Sequence, residues 1–215
     1  MQASYVGVVI SLWTTANLDD CFPFSLNSPS RLQLVLTWPS QQPSAHNHLI
    51  ALTSVLDAMS LAFLTQLQIS TLDYIDSKTW VKTFGKLPLL KRVYVQGSAT
   101  HSFLDALVYK TKAAEKSETA YRNVSFPKLR QIDLEGTKFF TGDPRYISVD
   151  KVLDCLMERC ERKAEVQVLR LDNCYSIWSV DVERFKEIVV DVIWDGIEQE
   201  ISGNDDFYSS SEELW

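Results

Sequence analysis

The sequence predicts an α/β fold in which short parallel strands form one face of a short solenoid and helices form the other. The first observation is that one apolar spacing occurs four times, with large apolar residues at positions one, four and six of a short phrase. The second is that an apolar stripe with helical spacing follows each phrase. Strand and helix units of this kind stack side by side and share one hydrophobic core.

Each phrase is expected to hold one short strand. At positions one, four, six, nine and twelve the phrases read Leu64, Leu67, Ile69, Leu72 and Ile75; Leu90, Val93, Val95, Ser98 and His101; Leu129, Ile132, Leu134, Thr137 and Phe140; and Val166, Leu169, Leu171, Cys174 and Ile177. The phrases begin 26, 39 and 37 residues apart (64 to 90, 90 to 129, 129 to 166). These steps exceed the roughly 20–29 residues of regular repeats, and polar loops account for the excess.

The N-terminal segment, residues 1–48, is irregular and is interpreted as a partial earlier repeat. Its apolar run Tyr5–Trp13 predicts a buried strand. Leucines alternate at 32, 34 and 36 as in a second strand, and the proline-containing stretch that starts at Pro39 ends it.

Five apolar stripes predict the helices. They are formed by Leu49, Leu52, Val55, Leu56 and Met59; by Trp80, Val81 and Phe84; by Phe103, Leu104, Leu107 and Val108; by Val149, Val152, Leu153, Leu156, Met157 and Cys160; and by Val182, Phe185, Val189, Val192 and Ile193. Asp76 or Ser77 is expected to cap the second helix, because a short polar side chain there accepts a free backbone N–H. The fifth helix is expected to run to Ile193 and to cap the stack.

Negative charge is concentrated at the C-terminal end. The net charge is −7, and the residues from Asp195 to Trp215 include seven acidic residues and no basic one, so residues 1–194 balance at 21 basic and 21 acidic. This segment predicts an acidic, disordered tail over residues 196–215, after a repeat domain over residues 49–195. A body without net charge argues against nucleic-acid binding, which needs a basic stripe.

The apolar and cysteine patterns predict an intracellular protein, cytoplasmic or nuclear, that does not insert into a membrane. No stretch reaches the roughly 18–20 apolar residues of a membrane-spanning helix, and no basic residue precedes Arg31 as in a secretory signal. The four cysteines, at 21, 155, 160 and 174, show no CxxC spacing. We expect them to be buried free thiols in a reducing compartment.

Two of the phrases carry a family resemblance. The phrase VQVLRLDNCYSI, which begins at Val166, resembles the cysteine-containing leucine-rich repeats of F-box proteins, with Cys174 at the ladder position. The phrase FPKLRQIDLEG, which begins at Phe126, is similar to repeats of large fungal families of F-box-like proteins. The resemblance covers about residues 60–195 and implies a leucine-rich-repeat fold.

The same resemblance implies a role in a cullin ubiquitin ligase. In that family an N-terminal F-box docks the ligase adaptor, and the repeats recruit the protein substrate. The first 60 residues of this chain contain no Leu-Pro-x-Glu opening of an F-box. The adaptor is therefore expected as a partner only if an F-box lies outside this chain, whereas substrate recruitment by the repeats does not need one.

Strand alternation predicts an open polar face. Positions four and six of each phrase point into the core, so positions three, five and seven face the other side of the sheet. Across the four strands these positions give three columns: Gln66, Arg92, Gln131 and Val168; Gln68, Tyr94, Asp133 and Arg170; and Ser70, Gln96, Glu135 and Asp172. Neighbouring strands lie about 4.8 Å apart, so Asp133 and Arg170 are expected to be close enough to pair.

A protein partner is expected on this face. Tyr and Arg are the residue types that dominate binding hot spots, and both occur in the columns. The predicted contact residues are Arg92, Tyr94, Gln131, Asp133, Glu135, Arg170 and Asp172. The alternative is that these side chains only face solvent.

No catalytic residue, metal ligand or cofactor site is predicted. His46 and His48 fall in a Pro-, Ser- and Gln-rich loop without a third ligand nearby, and His101 takes an apolar position of its phrase. The chain has no Gly-rich phosphate loop, nucleophile elbow or HExxH motif.

Two other interpretations stay open at this point. One is a structural or scaffold repeat protein without a ubiquitin link, and the other is an α/β enzyme with irregular strand spacing. Strand order separates the enzyme from the repeat proteins, because a doubly wound sheet reverses its order once and opens a crevice there. Adaptor binding separates the first interpretation from a ligase subunit.

Overall fold

Seven strands and five helices make up the described part of the chain. The computed structural model describes residues 5–13, 32–39, 45–59, 61–70, 75–97, 99–109, 124–140, 142–143 and 146–201. In chain order the elements are β1 (Tyr5–Trp13), β2 (Leu32–Pro39), α1 (Ala45–Ala58), β3 (Gln66–Ser70), α2 (Ser77–Thr83), β4 (Arg92–Gln96), α3 (Ala99–Leu107), β5 (Gln131–Glu135), α4 (Val149–Glu161), β6 (Val168–Asp172), α5 (Ser179–Lys186) and β7 (Asp191–Trp194).

The strands form one mixed sheet in the order β2-β1-β3-β4-β5-β6-β7. Strands β3 to β7 are parallel and lie side by side in sequence order. The predicted α/β class and parallel strands are therefore confirmed. Across these strands no reversal of order occurs, so this part of the sheet lacks the switch point at which a doubly wound enzyme opens its crevice.

Alternation within the strands builds the core. The second and fourth residues of β3 to β6 are at most 1% exposed; they are Leu67, Ile69, Val93, Val95, Ile132, Leu134, Leu169 and Leu171. They belong to one apolar cluster with helix residues such as Trp80 and Phe103, whose ring centroids lie 5.0 Å apart. Polar side chains therefore remain on the opposite positions of each strand.

The same backbone turn follows three consecutive parallel strands. Gly97, Gly136 and Asn173 each come directly after a strand and have positive φ angles of 64°, 59° and 50°. Glycine and asparagine tolerate this left-handed conformation better than other residues. The amide of Gly97 donates to the carbonyl of Glu135 (2.9 Å), and that of Gly136 to Asp172 (3.0 Å). The parallel ladder thus continues beyond the strands.

Four of the five predicted helices are found where the stripes lie. Asp76 caps α2 by accepting the amide of Thr79 at 2.8 Å, as one of the two predicted caps. The buried face of α4 is rotated by part of a helical turn relative to the predicted face. Arg159 and Cys155 lie inside, whereas Met157 and Cys160 are exposed.

The predicted fifth helix is too long. Helix α5 ends at Lys186, and Val192 and Ile193 belong to β7, which pairs with β6. β-branched residues favour extended backbone, and β6 offers a free row of hydrogen-bonding groups. A strand, and not the end of a helix, therefore closes this side of the described sheet.

Strand β7 also reveals a fifth phrase that the sequence analysis missed. Val189, Val192, Trp194 and Ile197 stand at its positions one, four, six and nine. Val192 pairs with Leu169, and Trp194 pairs with Leu171. This phrase begins 23 residues after Val166 (166 to 189), within the span of a regular repeat.

The two chain ends extend the sheet and its last loop. The two strands predicted in the N-terminal segment are present as β1 and β2, and β1 is antiparallel to both β2 and β3. At the other end, residues 197–201 fall in the predicted tail but form hydrogen bonds with the loop after β6 and with the first residue of α5. The amide of Ser176 donates to the carbonyl of Gln199 (2.6 Å), and the amide of Ser179 to the carboxylate of Glu198 (2.9 Å). The rest of the predicted tail, from residue 202, lies outside the described residues.

None of the helices described here combines the length and the apolar composition that crossing a bilayer requires.

Candidate functional site

The strand face consists of the first, third and fifth residues of β3 to β6. Parallel pairing aligns them in the predicted columns: Gln66, Arg92, Gln131 and Val168; Gln68, Tyr94, Asp133 and Arg170; Ser70, Gln96, Glu135 and Asp172. Strand β7 extends the first two columns with Asp191 and Ile193, which the sequence analysis had assigned to a helix region. All seven predicted contact residues therefore lie on one surface.

The middle column is less open than predicted. Tyr94, Asp133 and Arg170 are only 7%, 1% and 8% exposed, whereas the residues of the outer columns on β3 to β6 are half-buried. Side chains on adjacent parallel strands stand about 4.8 Å apart, so long neighbours cover the central ones. A partner would therefore contact the outer columns first.

One ion pair joins β4 to β5 within the strand face. The Arg92 Nε donates to Asp133 Oδ2 at 2.7 Å, and Arg92 Nη2 donates to Oδ1 at 3.1 Å. The side-chain Nε2 of Gln131 donates to the same Oδ1 at 3.0 Å. This forked arrangement holds the Asp133 carboxylate, whose side chain is 2% exposed, in one orientation.

Arg170 makes its ion pair within its own strand. Its Nε lies 2.5 Å from Asp172 Oδ2, and its Nη2 lies 3.3 Å from Oδ1. Asp133 is the direct cross-strand neighbour of Arg170, as predicted. Its charge contributes to the raised pKa of Arg170, although the hydrogen bond with Asp172 is the main cause. The predicted proximity is confirmed, while the hydrogen bonds described for Asp133 come from Arg92 and Gln131.

The carboxylate of Glu135 has a different environment from the carboxylates of Asp133 and Asp172. None of the ion pairs found in the described part of the chain includes it. Partial burial raises the pKa of Glu135, and the nearby charge of Asp172 raises it further. A hydrogen bond from Asn173 and the charge of Arg170 act in the opposite direction. A cation from a partner would therefore stabilise the ionised form of Glu135.

The Arg92–Asp133 pair and the two strand-face positions on β7 were not predicted from the sequence. The pair could have been found, because the two residues are diagonal neighbours on adjacent strands, within reach of a long side chain. The β7 positions were hidden because 189, 192 and 193 fit helical spacing as well as the repeat phrase.

The three histidines of the chain lie on helices α1 and α3. No group of three or more His, Cys, Asp or Glu residues that could hold a metal ion is found there. His46 and His48 lie in α1 and not in the predicted loop, and their side chains are outside the description. His101, on α3, contacts the Lys151 ammonium and the Asp105 carboxylate.

Three of the four thiols can be placed. Cys155 and Cys174 are buried as predicted, and burial raises the pKa of Cys155 to about 11 and that of Cys174 to about 12. These thiols are therefore poor nucleophiles near neutral pH. Cys160 is exposed, contrary to prediction, because α4 turns Arg159 inward. Cys21 lies outside the described residues.

One pocket of about 240 Å³ lies apart from the strand face, at the start of α4 and α5. Phe140 and Trp178 form part of its wall. Its charged side chains already pair with one another, since Arg184 Nη2 lies 2.6 Å from Asp150 Oδ1 and Arg184 Nη1 lies 3.7 Å from Asp181 Oδ1. Among the described lining residues, the two carboxylates therefore share a single guanidinium.

Comparison of the chain with family models, curated proteins and solved structures finds no match. The function of the chain is therefore inferred from the residues of the strand face.

Proposed function

We propose that this protein is a leucine-rich-repeat solenoid that binds a partner protein through its strand face, as the substrate-recruiting part of an F-box-type ubiquitin ligase subunit. One observation carries the binding proposal. Strands β3 to β7 are parallel and sequential, and their pairing aligns side chains in continuous columns. Such a surface is extended, which suits a protein more than a small molecule.

Three features support the repeat arrangement. The strands follow one another in sequence order, the same left-handed turn follows β4, β5 and β6, and β7 adds a fifth phrase with a 23-residue step (166 to 189). In a solenoid each unit contacts its neighbours, and successive units differ mainly in their loops. The long steps between the earlier phrases agree with that organisation.

The charges of the strand face indicate what kind of partner surface it would accept. Arg92 is neutralised by Asp133, and Arg170 by Asp172. Glu135 and, on β7, Asp191 then leave a negative excess, and Gln66, Gln68, Gln96 and Gln131 supply neutral hydrogen-bonding groups. We therefore expect a partner segment with Lys or Arg side chains opposite Glu135, since complementary charge favours association.

The ubiquitin link rests on the resemblance of the phrases at Phe126 and Val166 to repeats of F-box proteins. In this proposal the chain selects the substrate inside the cell, and adaptor docking requires an F-box outside the chain. Binding alone, without catalysis, is sufficient for this role.

A charge reversal on the strand face tests the proposal. Glu135→Arg changes a carboxylate that takes part in none of the ion pairs of the described residues. Glu161→Arg makes the same change at an exposed position of α4, away from the strand face. Both variants would be compared with the parent by affinity capture from cell lysate, after circular dichroism has shown that each is folded. We expect a partner that is retained by the parent and by Glu161→Arg but reduced at least about tenfold with Glu135→Arg, as truncating a charged contact costs about 1.4 kcal/mol or more.

The identity of the proteins captured together with the partner tests the proposed role in a ubiquitin ligase. Adaptor and cullin together with the partner would support a ligase subunit. A partner that depends on Glu135, found without ligase components, would instead favour the scaffold interpretation. Equal recovery of every protein by all three chains would contradict binding through the strand face.

A further inference from the structure

The two edges of the sheet are built differently. At one edge, β7 has only four residues, begins with Asp191 and is followed by Asp195. At the other edge, β2 has eight residues, Leu32–Pro39, and among the described strands it has a neighbour on one side only. Short length and charge are two ways in which proteins keep a sheet edge from pairing with another chain. Strand β7 has both, whereas β2 has neither.

The sequence of β2 favours pairing with another strand. It reads LQLVLTWP, which contains five large apolar residues and no charged one. An eight-residue edge of this composition offers a row of backbone donors and acceptors without any charge to repel an incoming strand. Pro39, the last residue, is the one position that lacks a backbone N–H.

We propose that two copies of this protein associate through β2, with the two β2 strands antiparallel and related by a two-fold axis. In such a pair both strands have the same sequence. A charged residue in one strand would therefore lie near the same charge in the other. An uncharged strand avoids this repulsion. The proposal concerns a different edge of the sheet from the strand face and does not depend on the proposed function.

The two-fold axis would pass through Val35. This register places residue 33 opposite residue 37 of the other copy, residue 34 opposite 36, and residue 32 opposite 38. It pairs every residue from Leu32 to Trp38 and leaves only Pro39 outside the ladder. Stable dimers bury about 1,600 Å² in total, and one strand pair supplies a part of that area. We therefore expect a dimer that dissociates on dilution.

Sedimentation velocity over a series of concentrations tests the association. The parent chain should shift from 24.5 kDa towards twice that mass as its concentration rises. The double variant Gln33→Lys, Thr37→Lys places lysine opposite lysine twice across the axis, so its dimer should be weaker by about tenfold. The double variant Gln33→Glu, Thr37→Glu should be weakened in the same way. An equimolar mixture of the two should form a heterodimer, since each lysine then faces a glutamate.

A matched control adds the same charge beside the other edge. Gln167→Lys, Val190→Lys changes two exposed residues near β7, and Val190 is 90% exposed. This variant should dimerise like the parent. The proposal is overturned if the parent stays monomeric, if it forms species larger than a dimer, or if the control weakens association and the β2 variants do not.

Cross-linking gives an independent measurement that does not require charged residues in β2. In a Cys21→Ser, Cys160→Ser background, Val35→Cys places two thiols opposite each other at the axis. Gln33→Cys places each thiol opposite Thr37 of the other copy. We expect oxidation to give a disulfide-linked dimer at least about tenfold faster with Val35→Cys, because opposite Cβ atoms lie about 4.5–5.5 Å apart. Equal rates for the two variants would exclude this register.

Discussion

At the scale of single residues, Arg159 has the most unusual environment in the described structure. It lies on α4 and is fully buried. Its Nη1 donates to the carbonyl of Ser125 (2.8 Å) and its Nη2 to that of Phe126 (3.0 Å), while its Nε has no hydrogen-bond partner among the described residues. Burial lowers the pKa of Arg159 to about 10, so the guanidinium stays charged at neutral pH. Its two carbonyl bonds fix the turn that leads into β5.

Replacing Arg159 by methionine should destabilise the protein. Methionine removes the cost of burying a charge, but it takes a donor from two buried carbonyl groups. The Phe126 carbonyl keeps the amide of Leu129 (3.1 Å), whereas the Ser125 carbonyl loses its Arg159 bond, and an unsatisfied buried acceptor costs about 1–3 kcal/mol. We expect the free energy of unfolding, measured with urea and tryptophan fluorescence, to fall by about 2 kcal/mol. Arg184→Met is the matched control, because Arg184 is 44% exposed and exposed ion pairs contribute little to stability. Equal losses for the two variants would show that the carbonyl bonds of Arg159 do not stabilise the turn.

At the scale of elements, the C-terminal region shows that apolar periodicity does not always distinguish a helix from a strand. Residues 182, 185, 189, 192 and 193 fit a helix, yet Val189 and Val192 also occupy positions one and four of a repeat phrase. Spacing alone cannot choose between these structures. The neighbouring strand decides, because β6 leaves backbone groups unpaired until β7 joins it. The β-branched composition of Val189, Val190, Val192 and Ile193 was the signal available in the sequence.

The Arg92–Asp133 pair should couple β4 to β5 energetically. Arg92→Met leaves the Asp133 carboxylate, 2% exposed, without its charged partner, and breaking a buried pair costs about 3–5 kcal/mol. Asp133→Leu should cost less, because the Arg92 side chain is 12% exposed and can turn towards water. The double variant should lose less stability than the sum of the single ones, by about 2 kcal/mol. Urea unfolding of all four proteins measures this coupling, and additive losses would exclude it.

At the scale of the whole molecule, the sequence predicted the parallel strands, their alignment and the surface that carries the candidate site. These features follow from local spacing, since each phrase determines its own strand and its own buried positions. The burial of Tyr94, Asp133 and Arg170 could not be predicted in this way. It depends on how side chains of three strands cover one another, which no single phrase contains. The antiparallel placement of β1 and β2 likewise depends on contacts between distant segments.

The fifth phrase should be an integral part of the folded unit. Strand β7 pairs with β6, Val192 and Trp194 pack against the core, and Gln199 Nε2 donates to the carbonyl of Cys174 at 3.3 Å. In a linear array of repeats, losing one unit removes its own stability and its interface with the neighbouring unit. A chain that ends at Val189 should therefore have a thermal midpoint lower by roughly 10 °C, which corresponds to about 3–5 kcal/mol for a protein of this size.

A chain that ends at Ile201 is the matched control for that truncation. It removes only residues 202–215, which the sequence predicts to be an acidic tail, so its midpoint should stay within about 2 °C of the parent. Both chains would be measured by differential scanning calorimetry at the same protein concentration, because association also shifts the midpoint. If the shorter chain melts at the same temperature as the control, β7 is an appendage and the folded unit ends with β6. If the control itself melts far below the parent, residues 202–215 contribute to the fold and the predicted tail is wrong.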